Sequence, residues 1–553
     1  MWNWISNLFT IIGFVVAAVI ILALLITYIV LYFKDKNQKR HPILRNYPVL
    51  GKVRYFFEKI GPEMRSYWFN SDTEGKPFSR HEYEHVVKTA KYSRDVEAFG
   101  SQRDFEAEGF FIRNNMFPKL KEEMVLDRKS KVKTKRYILL RDTLFAQRDE
   151  EFEEHEDLAY LLDKRDTIVL GEKTARKPFK VRGQIGMSAM SYGALGQHAI
   201  TALSHGLGMA TGTWMNTGEG GLSPYHTKGN PDIIMQVGPG LFGVRSQEGD
   251  ISWDEVKKKG EMDQIKAFEL KLAQGAKTRG GHVDAEKVTE EIADIRGIEP
   301  HQSVDSPNRF HQFSNPEEMC DLIEKFRDVS GKPVGIKVVI GSYDSLFELA
   351  DYMKKSGKGP DFITVDGAEG GTGASYQELM DSVGLPVRTA LPIVDATLRR
   401  FGVRDRVKIF ASGKLFTPDR IAVALAMGAD LVNVARGLMI SVGCIQAMKC
   451  QSNACPVGVA TTDPNLQNAL VVNEKKYRVT NFVTTLRKGL FRLAASTGVD
   501  SPVKIRLQHI VYKDQEGVLH TLEEIYGAIR EKVDNIKYPV DSTTDPDLVK
   551  DPK

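Results

Sequence analysis

Asp361-Phe362-Ile363-Thr364-Val365-Asp366-Gly367-Ala368-Glu369-Gly370-Gly371-Thr372-Gly373-Ala374 reads as an apolar strand running straight into a glycine-rich loop. Glycines let consecutive backbone N–H groups approach an anionic oxygen closely, which is how a loop holds phosphate with little formal charge. Two more such turns follow the next two predicted strands: Ala411-Ser412-Gly413-Lys414 after 407–412, and Ala435-Arg436-Gly437 after 431–434. One glycine turn is ordinary punctuation, but three at successive strand ends point to a ligand. Barrels of parallel strands commonly build phosphate sites from the loops after their late strands.

Working outward, strands are predicted at 184–190, 212–216 and 334–338, with helices at 197–209, 316–329, 343–355, 386–401 and 418–427. Alternation of short apolar runs with helical patterns over some 270 residues predicts an α/β fold, a (β/α)8 barrel, with a doubly wound sheet as the alternative. A barrel demands functional residues at the C-terminal ends of its strands. Ser188, Asn216, Lys337, Asp366 and Ser412 each lie near such an end.

Three of the four cysteines, Cys444, Cys450 and Cys455, fall within one twelve-residue run spaced C-x5-C-x4-C, and Pro456 follows the last. Structural zinc takes ligands spaced C-x2–4-C and closes with four. Iron–sulfur clusters are held by thiolates from irregular loops such as this one, and three thiolates suit a [3Fe-4S] cluster. A disulfide with a free thiol, or inert buried cysteines, are the alternatives. Cys320 lies on a predicted helix and reads as a small core hydrophobe.

The cysteine loop, with its continuation Pro456-Val457-Gly458-Val459-Ala460-Thr461, resembles the cluster loop of glutamate synthases in their FMN-binding domain. Asn216-Thr217-Gly218-Glu219-Gly220-Gly221, Leu272-Ala273-Gln274-Gly275-Ala276-Lys277 and the opening glycine loop resemble three further family segments, in the family's order over roughly residues 180 to 470. The likeness is greater to the shorter, membrane-anchored glutamate synthase large subunit-like proteins than to the full-length enzyme. The resemblance implies an FMN-binding barrel with a [3Fe-4S] cluster on Cys444, Cys450 and Cys455. It assigns the flavin Ser188, Ala189, Met190, Ser191, Asn216 and Lys337, the last beside N1 and O2 of the ring. Its phosphate falls to Asp366, Gly367, Gly370, Gly371, Thr372, Gly373, Ser412, Gly413, Lys414, Ala435, Arg436 and Gly437. Glu219 is implied to lie near incoming ammonia, with Lys337 also acting on the chemistry and Gln236 and Lys277 on the substrate side.

Two departures from the family stand out. Full-length enzymes begin with a glutamine-hydrolysing cysteine, whereas this sequence opens on an apolar segment and shows no amidotransferase domain. Ammonia is therefore expected from elsewhere. Leu241 stands where those enzymes carry an arginine suited to a dicarboxylic substrate, and Arg245 is the nearest substitute in sequence. Gly238-Pro239-Gly240-Leu241-Phe242-Gly243 formally matches G-x-G-x-x-G, but no helical pattern opens after it, so it is not a dinucleotide site. The electron donor is accordingly external and unidentified. The expected reaction is reductive amination of a 2-oxo acid, 2-oxoglutarate to L-glutamate. Another 2-oxo or amino acid is the alternative, and a noncatalytic membrane electron-transfer component is the reading from a different class.

Residues 1–33 contain no charged side chain, and 8–33 is an apolar run of 26 positions. As a helix it would be about 39 Å long, enough to cross a ~30 Å hydrocarbon core with tilt. Lys34, Lys36, Lys39 and Arg40 follow at once, which predicts a single-pass cell-membrane protein with its catalytic region on the cytoplasmic side. A reducing compartment agrees with thiolate-bound iron. Residues 1–40 are thus the expected anchor, 41–150 a small α-rich juxtamembrane subdomain, 151–475 the barrel with its cysteine loop, 476–534 a C-terminal helical extension, and 535–553 a disordered tail. A net charge of +4 gives no reason to propose nucleic acid; basic residues of 119–135 are interspersed with Glu122, Glu123 and Asp127.

Overall fold

The structure is a computed structural model that describes residues 2–97, 99–141, 149–278 and 280–538. Chain contacts divide it into two units, Met1–Glu84 and His85–Lys553. The tail expected to be disordered lies, from residue 539 on, outside the described residues.

In the first unit a single helix, Trp2–Asn37, takes in the apolar run 8–33; its stretch Thr10–Asn37 is long and apolar enough to cross a membrane. A short helix, Pro42–Asn46, and a longer one, Gly51–Met64, follow, and a π-helical turn at Arg65–Phe69 prolongs the latter.

In the second unit eight parallel strands close into a barrel. They are β1 (Ile185–Met187), β2 (Trp214–Asn216), β3 (Asp232–Val237), β4 (Ile265–Lys271), β5 (Val334–Val338), β6 (Phe362–Asp366), β7 (Lys408–Ser412) and β8 (Leu431–Val434). Each pairs with the next, β3 on β4 with a register shift between Ile233 and Ile234, and β8 closes on β1 through Val432–Ile185, Asn433–Gly186 and Val434–Met187. The doubly wound alternative is thereby excluded. Six of these strands stand where the sequence places them; β3 and β4 are additional.

Large rings fill the barrel because glycines on neighbouring strands leave them room. A Cβ on Gly186 would fall 2.3 Å from the Trp214 ring, and one on Gly335 would fall 2.4 Å from that of Phe362. Trp214, Phe362 and Phe410 form one cluster with Ile234, Ala267 and Leu431. A hairpin of Ile168–Leu170 with Phe179–Val181 joins the same cluster, placing Leu170, Phe179 and Val181 against it. The Trp214 indole N–H is satisfied by Asn433 Oδ1 at 2.8 Å.

The chain outside the barrel differs in part from expectation. Between residues 109 and 158 it contributes strands: Gly109–Ile112, and a hairpin of Lys131–Arg141 with Asp149–Leu158. Basic residues on one arm of that hairpin face acidic ones on the other, as in Lys131–Glu156 (2.7 Å) and Arg136–Glu153 (2.8 Å). The segment 476–534 does carry helix, Val472–Ser496 and Leu522–Asn535, but also Ile510–Lys513 and Leu519–Thr521, which form a three-stranded sheet with Gly109–Ile112. Gly109–Ile112 takes its partner from the far end of the chain, and such a pairing leaves no local pattern in the sequence. Asn481 anchors the long helix by donating to the carbonyls of Ala90 (3.0 Å) and Lys135 (2.8 Å) and accepting from Thr134 Oγ1 (2.8 Å).

Candidate active site

All eight strands deliver their C-terminal ends to one mouth, and most expected site residues meet there. Glu219, on the loop after β2, points one carboxylate oxygen at two ammonium groups: Lys277 Nζ at 2.6 Å and Lys271 Nζ at 2.7 Å. Both lysines are buried, 6–7% exposed, and Glu219 is 16% exposed. Burial pushes the Glu219 carboxyl up, but the two lysines overcome this and hold it well below the usual range. Burial pushes Lys271 down to about 8; Glu219 opposes that shift, whereas Lys277 and Lys337 add to it. The site thus holds a fixed carboxylate next to an amine that titrates close to neutral pH.

Gly238 has its reason here. A Cβ at that position would lie 2.5 Å from Glu219 Oε2, so the glycine makes way for the carboxylate. The formal dinucleotide motif is part of the barrel mouth.

One layer lower, Glu269 on β4 is 1% exposed and accepts three hydrogen bonds, from Asn216 Nδ2 (2.8 Å), Gln236 Nε2 (2.6 Å) and Thr364 Oγ1 (2.5 Å). Asn216 also accepts from Gly218 N–H at 3.0 Å, which fixes the turn leading to Glu219. Gln236 is fully buried and its Oε1 has no partner among the described residues, leaving a buried acceptor available. Lys337 Nζ lies 3.1 Å from Asp366 Oδ2, which also receives Gly275 N–H at 2.9 Å. The ends of β5 and β6 and the loop after β4 are joined at that one carboxylate.

The glycine loops meet as backbone against backbone. A Cβ on Gly275 would stand 1.9 Å from the Gly367 carbonyl oxygen, and one on Gly370 would reach Gly275 at 3.0 Å. Gly367 N–H donates to Ser412 O and Gly370 N–H to Gly367 O, whereas the N–H groups of Gly371, Thr372 and Gly373 have no acceptor among the described residues. Ala374 N–H turns back onto Thr372 Oγ1 at 3.2 Å. Gly413 sits at φ +151° with Glu369 Oε1 2.9 Å from where its Cβ would be. Glu369 itself accepts Val387 N–H (3.1–3.2 Å) at the start of the helix Val387–Arg400, and burial raises its carboxyl. Arg436, after Ala435 at the end of β8, donates to the Glu369 carbonyl at 2.5 Å. Gly437 packs on Phe416, so its role is steric, while the Lys414 carbonyl is held by Arg420 at 3.4 Å.

After β1, Ser188 N–H donates to Val434 O (3.0 Å), and its hydroxyl lies 3.5 Å from that of Ser412. Ala189 is half-buried; Met190 N–H donates to Asn216 O at 3.4 Å, and Ser191 packs under Gly218 and Gly220. His226 secures this segment. Its Nδ1 accepts Ser223 N–H (3.2 Å) and its Nε2 donates to Met190 O (3.3 Å), and burial pushes the imidazole down to about 4.

Several residues of the site escape the sequence reading. Lys271 ends β4 and Glu269 lies two residues before it, an alternation that in isolation resembles a solvated edge. Arg296 is 4% exposed, donates to Tyr192 O at 3.2 Å, stacks over Phe242 at 5.4 Å, and acts electrostatically on Glu219. Its Nε has no partner among the described residues. Arg245, the substitute suggested by sequence, is instead exposed and lies against Gly249 in a surface turn. Leu241 is 2% exposed, next to the ring under Arg296.

The cysteine loop adjoins the mouth. Cys444, Cys450 and Cys455 form no disulfide; burial pushes Cys444 up to about 11, and the other two thiols add to that shift. Lys287 donates to the carbonyls of Cys450 and of Ala460 (3.3 Å) and acts electrostatically on Cys450 and Cys455. Among the described residues no three side chains stand converged as metal ligands. Cys320 is fully buried on the helix Pro316–Ser330, as a core residue would be.

A closed parallel barrel whose mouth gathers buried lysines, an arginine and carboxylates defines a TIM-barrel enzyme. Residues 120–500 match the conserved region in glutamate synthase. Over 514 residues the chain is 58% identical to the glutamate synthase large subunit-like protein YerD of Bacillus subtilis (strain 168), covering 93% of this chain and 97% of that one. It is 30% identical over 367 residues to the archaeal-type glutamate synthase (NADPH) of Thermotoga maritima, covering 66% and 68%. To the glutamate synthase (NADPH) large chain of Bacillus subtilis it is 32% identical over 286 residues, 50% of this chain and 18% of that one. The chain belongs to the glutamate synthase family and is an oxidoreductase of that type.

Proposed function

We propose that this protein is an FMN- and [3Fe-4S]-dependent oxidoreductase that reductively aminates a 2-oxo acid, converting 2-oxoglutarate to L-glutamate with ammonia and electrons supplied by other components. The observation that carries the reading is the Glu219 carboxylate held between Lys271 and Lys277 at the barrel mouth.

The residues present suit FMN. Three successive free N–H groups at Gly371–Thr372–Gly373, near Arg436, form a cradle for phosphate. Lys337 gives a buried cation for the flavin ring, and Gln236 Oε1 a buried acceptor. For the cluster, Cys444, Cys450 and Cys455 supply three soft donors on one loop, with Lys287 to offset their charge once deprotonated. Bound FMN supplies hydride transfer and a bound cluster supplies single-electron transfer.

The chain's own groups then divide the work. Glu219, kept ionised by its lysines, accepts hydrogen bonds from ammonia and orients it. Lys271, with its proton held near neutral pH, hands that proton to the substrate oxygen that leaves as water. Arg296, Lys277 and Lys337 add positive charge for carboxylates; with Lys271 they make four cations against Glu219 and Asp366 at the rim, and Glu269 beneath offsets one more. Leu241 favours a second reading, a 2-oxo acid less charged than 2-oxoglutarate.

Anaerobic purification, followed by incubation with a chemical reductant, ammonia and a panel of 2-oxo acids, tests this directly. Glutamate formed from 2-oxoglutarate is the expected result. Turnover of another 2-oxo acid alone would move the assignment to the second reading, and none with flavin and cluster in place would leave an electron-transfer component.

We further propose that Thr10–Asn37 spans the cell membrane and that Lys34, Lys36, Lys39 and Arg40 keep the barrel on the cytoplasmic side. A C-terminal reporter active only in the cytoplasm checks this; a mature protein lacking residues 1–33 and free in the medium would overturn it.

A further inference from the structure

The helix Gly51–Met64 and its extension Arg65–Phe69 carry a large apolar surface open to solvent. Val53 is 53% exposed, Phe56 58%, Phe57 54%, Tyr67 64% and Trp68 74%. At 100° per residue Val53, Phe56, Phe57, Ile60 and Met64 occupy one arc of about 100°. Lys52 and Lys59 flank that arc on one side, with Glu63 beside them, and Arg54 and Arg65 on the other. Glu58 points away from the arc and pairs with Arg54 at 2.7 Å. A face this apolar on an exposed helix marks a contact with something not water.

Asp35 sets where that face lies. It is the first acidic residue of the chain, two positions after the apolar run, and is only 3% exposed. Its carboxylate accepts Val49 N–H at 2.9 Å and Lys52 Nζ at 2.9 Å. The first turn of Gly51–Met64 is therefore pinned to the polar end of Trp2–Asn37. Among the described residues the main packing of Trp2–Asn37 is on Pro42–Asn46 rather than on Gly51–Met64.

We infer that residues 51–69 lie in the headgroup interface of the membrane that Thr10–Asn37 crosses, with the Phe56–Phe57 face turned to the acyl chains and the basic flanks at anionic headgroups. The inference rests on the spanning role proposed above. Pinning at Asp35 puts the start of the helix at headgroup depth, and an apolar arc edged by Lys and Arg is the pattern of a helix lying in that plane. An aromatic-rich end, Tyr67-Trp68, suits the same depth.

The test uses the full-length protein reconstituted in vesicles of phosphatidylcholine and phosphatidylglycerol, with or without lipids brominated near the top of the acyl chain. Phe57→Trp places a fluorophore on the apolar arc and Glu58→Trp places one on the opposite side. Emission from the tryptophan added by Phe57→Trp, taken as the difference from the unmodified protein, should shift to the blue and fall at least about twofold with brominated lipid, the contact expected of a buried interfacial face. Emission from Glu58→Trp should be unaffected. An unquenched Phe57→Trp in protein that floats with the vesicles, or equal quenching of both, overturns the interfacial placement alone. Protein that fails to float overturns it together with the spanning role.

Discussion

A Cβ added to Gly373 would stand 2.9 Å from the Cβ of Cys450, so the glycine loop after β6 and the cysteine loop pack with no side chain between them. The loop proposed to cradle phosphate and the loop proposed to ligate iron are one contact surface. Gly373→Val forces Cys450 to move. The variant should purify with both iron and flavin reduced, while Cys320→Ser, buried elsewhere, retains both; iron analysis and flavin absorbance read the result. Full iron content in Gly373→Val would show that the contact is dispensable.

Cys444→Ser, Cys450→Ser and Cys455→Ser should each abolish the electron paramagnetic resonance signal of an oxidised three-iron centre in air-purified protein. Stoichiometric zinc in place of iron would sink the assignment.

Lys271 makes the pH dependence specific. Activity that needs its protonated form should fall as pH rises through about 8. Glu219 raises the Lys271 pKa, so Glu219→Gln should move the alkaline limb of the profile to lower pH as well as slow turnover by about 10²-fold, the usual scale for one positioned group. Flavin content should not change. An unmoved alkaline limb would assign that titration to another group.

Arg296 is buried, stacked on Phe242 and partly unpartnered, which fits a guanidinium waiting for a carboxylate. Arg296→Gln should raise KM for 2-oxoglutarate by roughly 10- to 150-fold, the range for losing one charge-assisted hydrogen bond. Leu241→Arg should favour 2-oxoglutarate over monocarboxylic 2-oxo acids; no change in that ratio would mean Arg296 already fills the role.

His226 predicts an acid limb for stability. Its folded-state pKa, about 4, is below the ordinary 6.5, so the unfolded chain binds more protons between those values. The contribution is complete above about 6.5 and is lost as pH falls towards 4, in all about 3 kcal/mol. Thermal unfolding followed from pH 7 to 4 should show this slope, and His226→Gln should flatten it.

Much of the barrel was legible because apolar runs such as 361–366 and 431–434 end in glycine turns. β3 and β4 were harder to read for the same reason that they matter. Gln236, Glu269 and Lys271 break the apolar pattern by placing polar groups in the upper barrel, where Gln236 holds Glu269 and Lys271 holds Glu219. Glu219, Lys277 and Asp366 were visible through motifs that keep neighbours in sequence together, and Lys337 through its place at a strand end. Arg296 was not, since it arrives at the mouth from a helix, Glu290–Arg296, with nothing local to mark it. Gly109–Ile112 escaped because its partner, Ile510–Lys513, comes from the far end of the chain.

That last pairing sets a schedule for biosynthesis. Tyr512 beside β-strand partner Phe110 donates to Glu108 at 2.9 Å, across 404 residues of sequence. At ~5–20 residues per second the segment 109–112 waits roughly 20–80 s for its partner strand to be made. An N-terminal edge left open for so long makes the interval before residue 513 emerges the period when this chain is most open to wrong strand pairing.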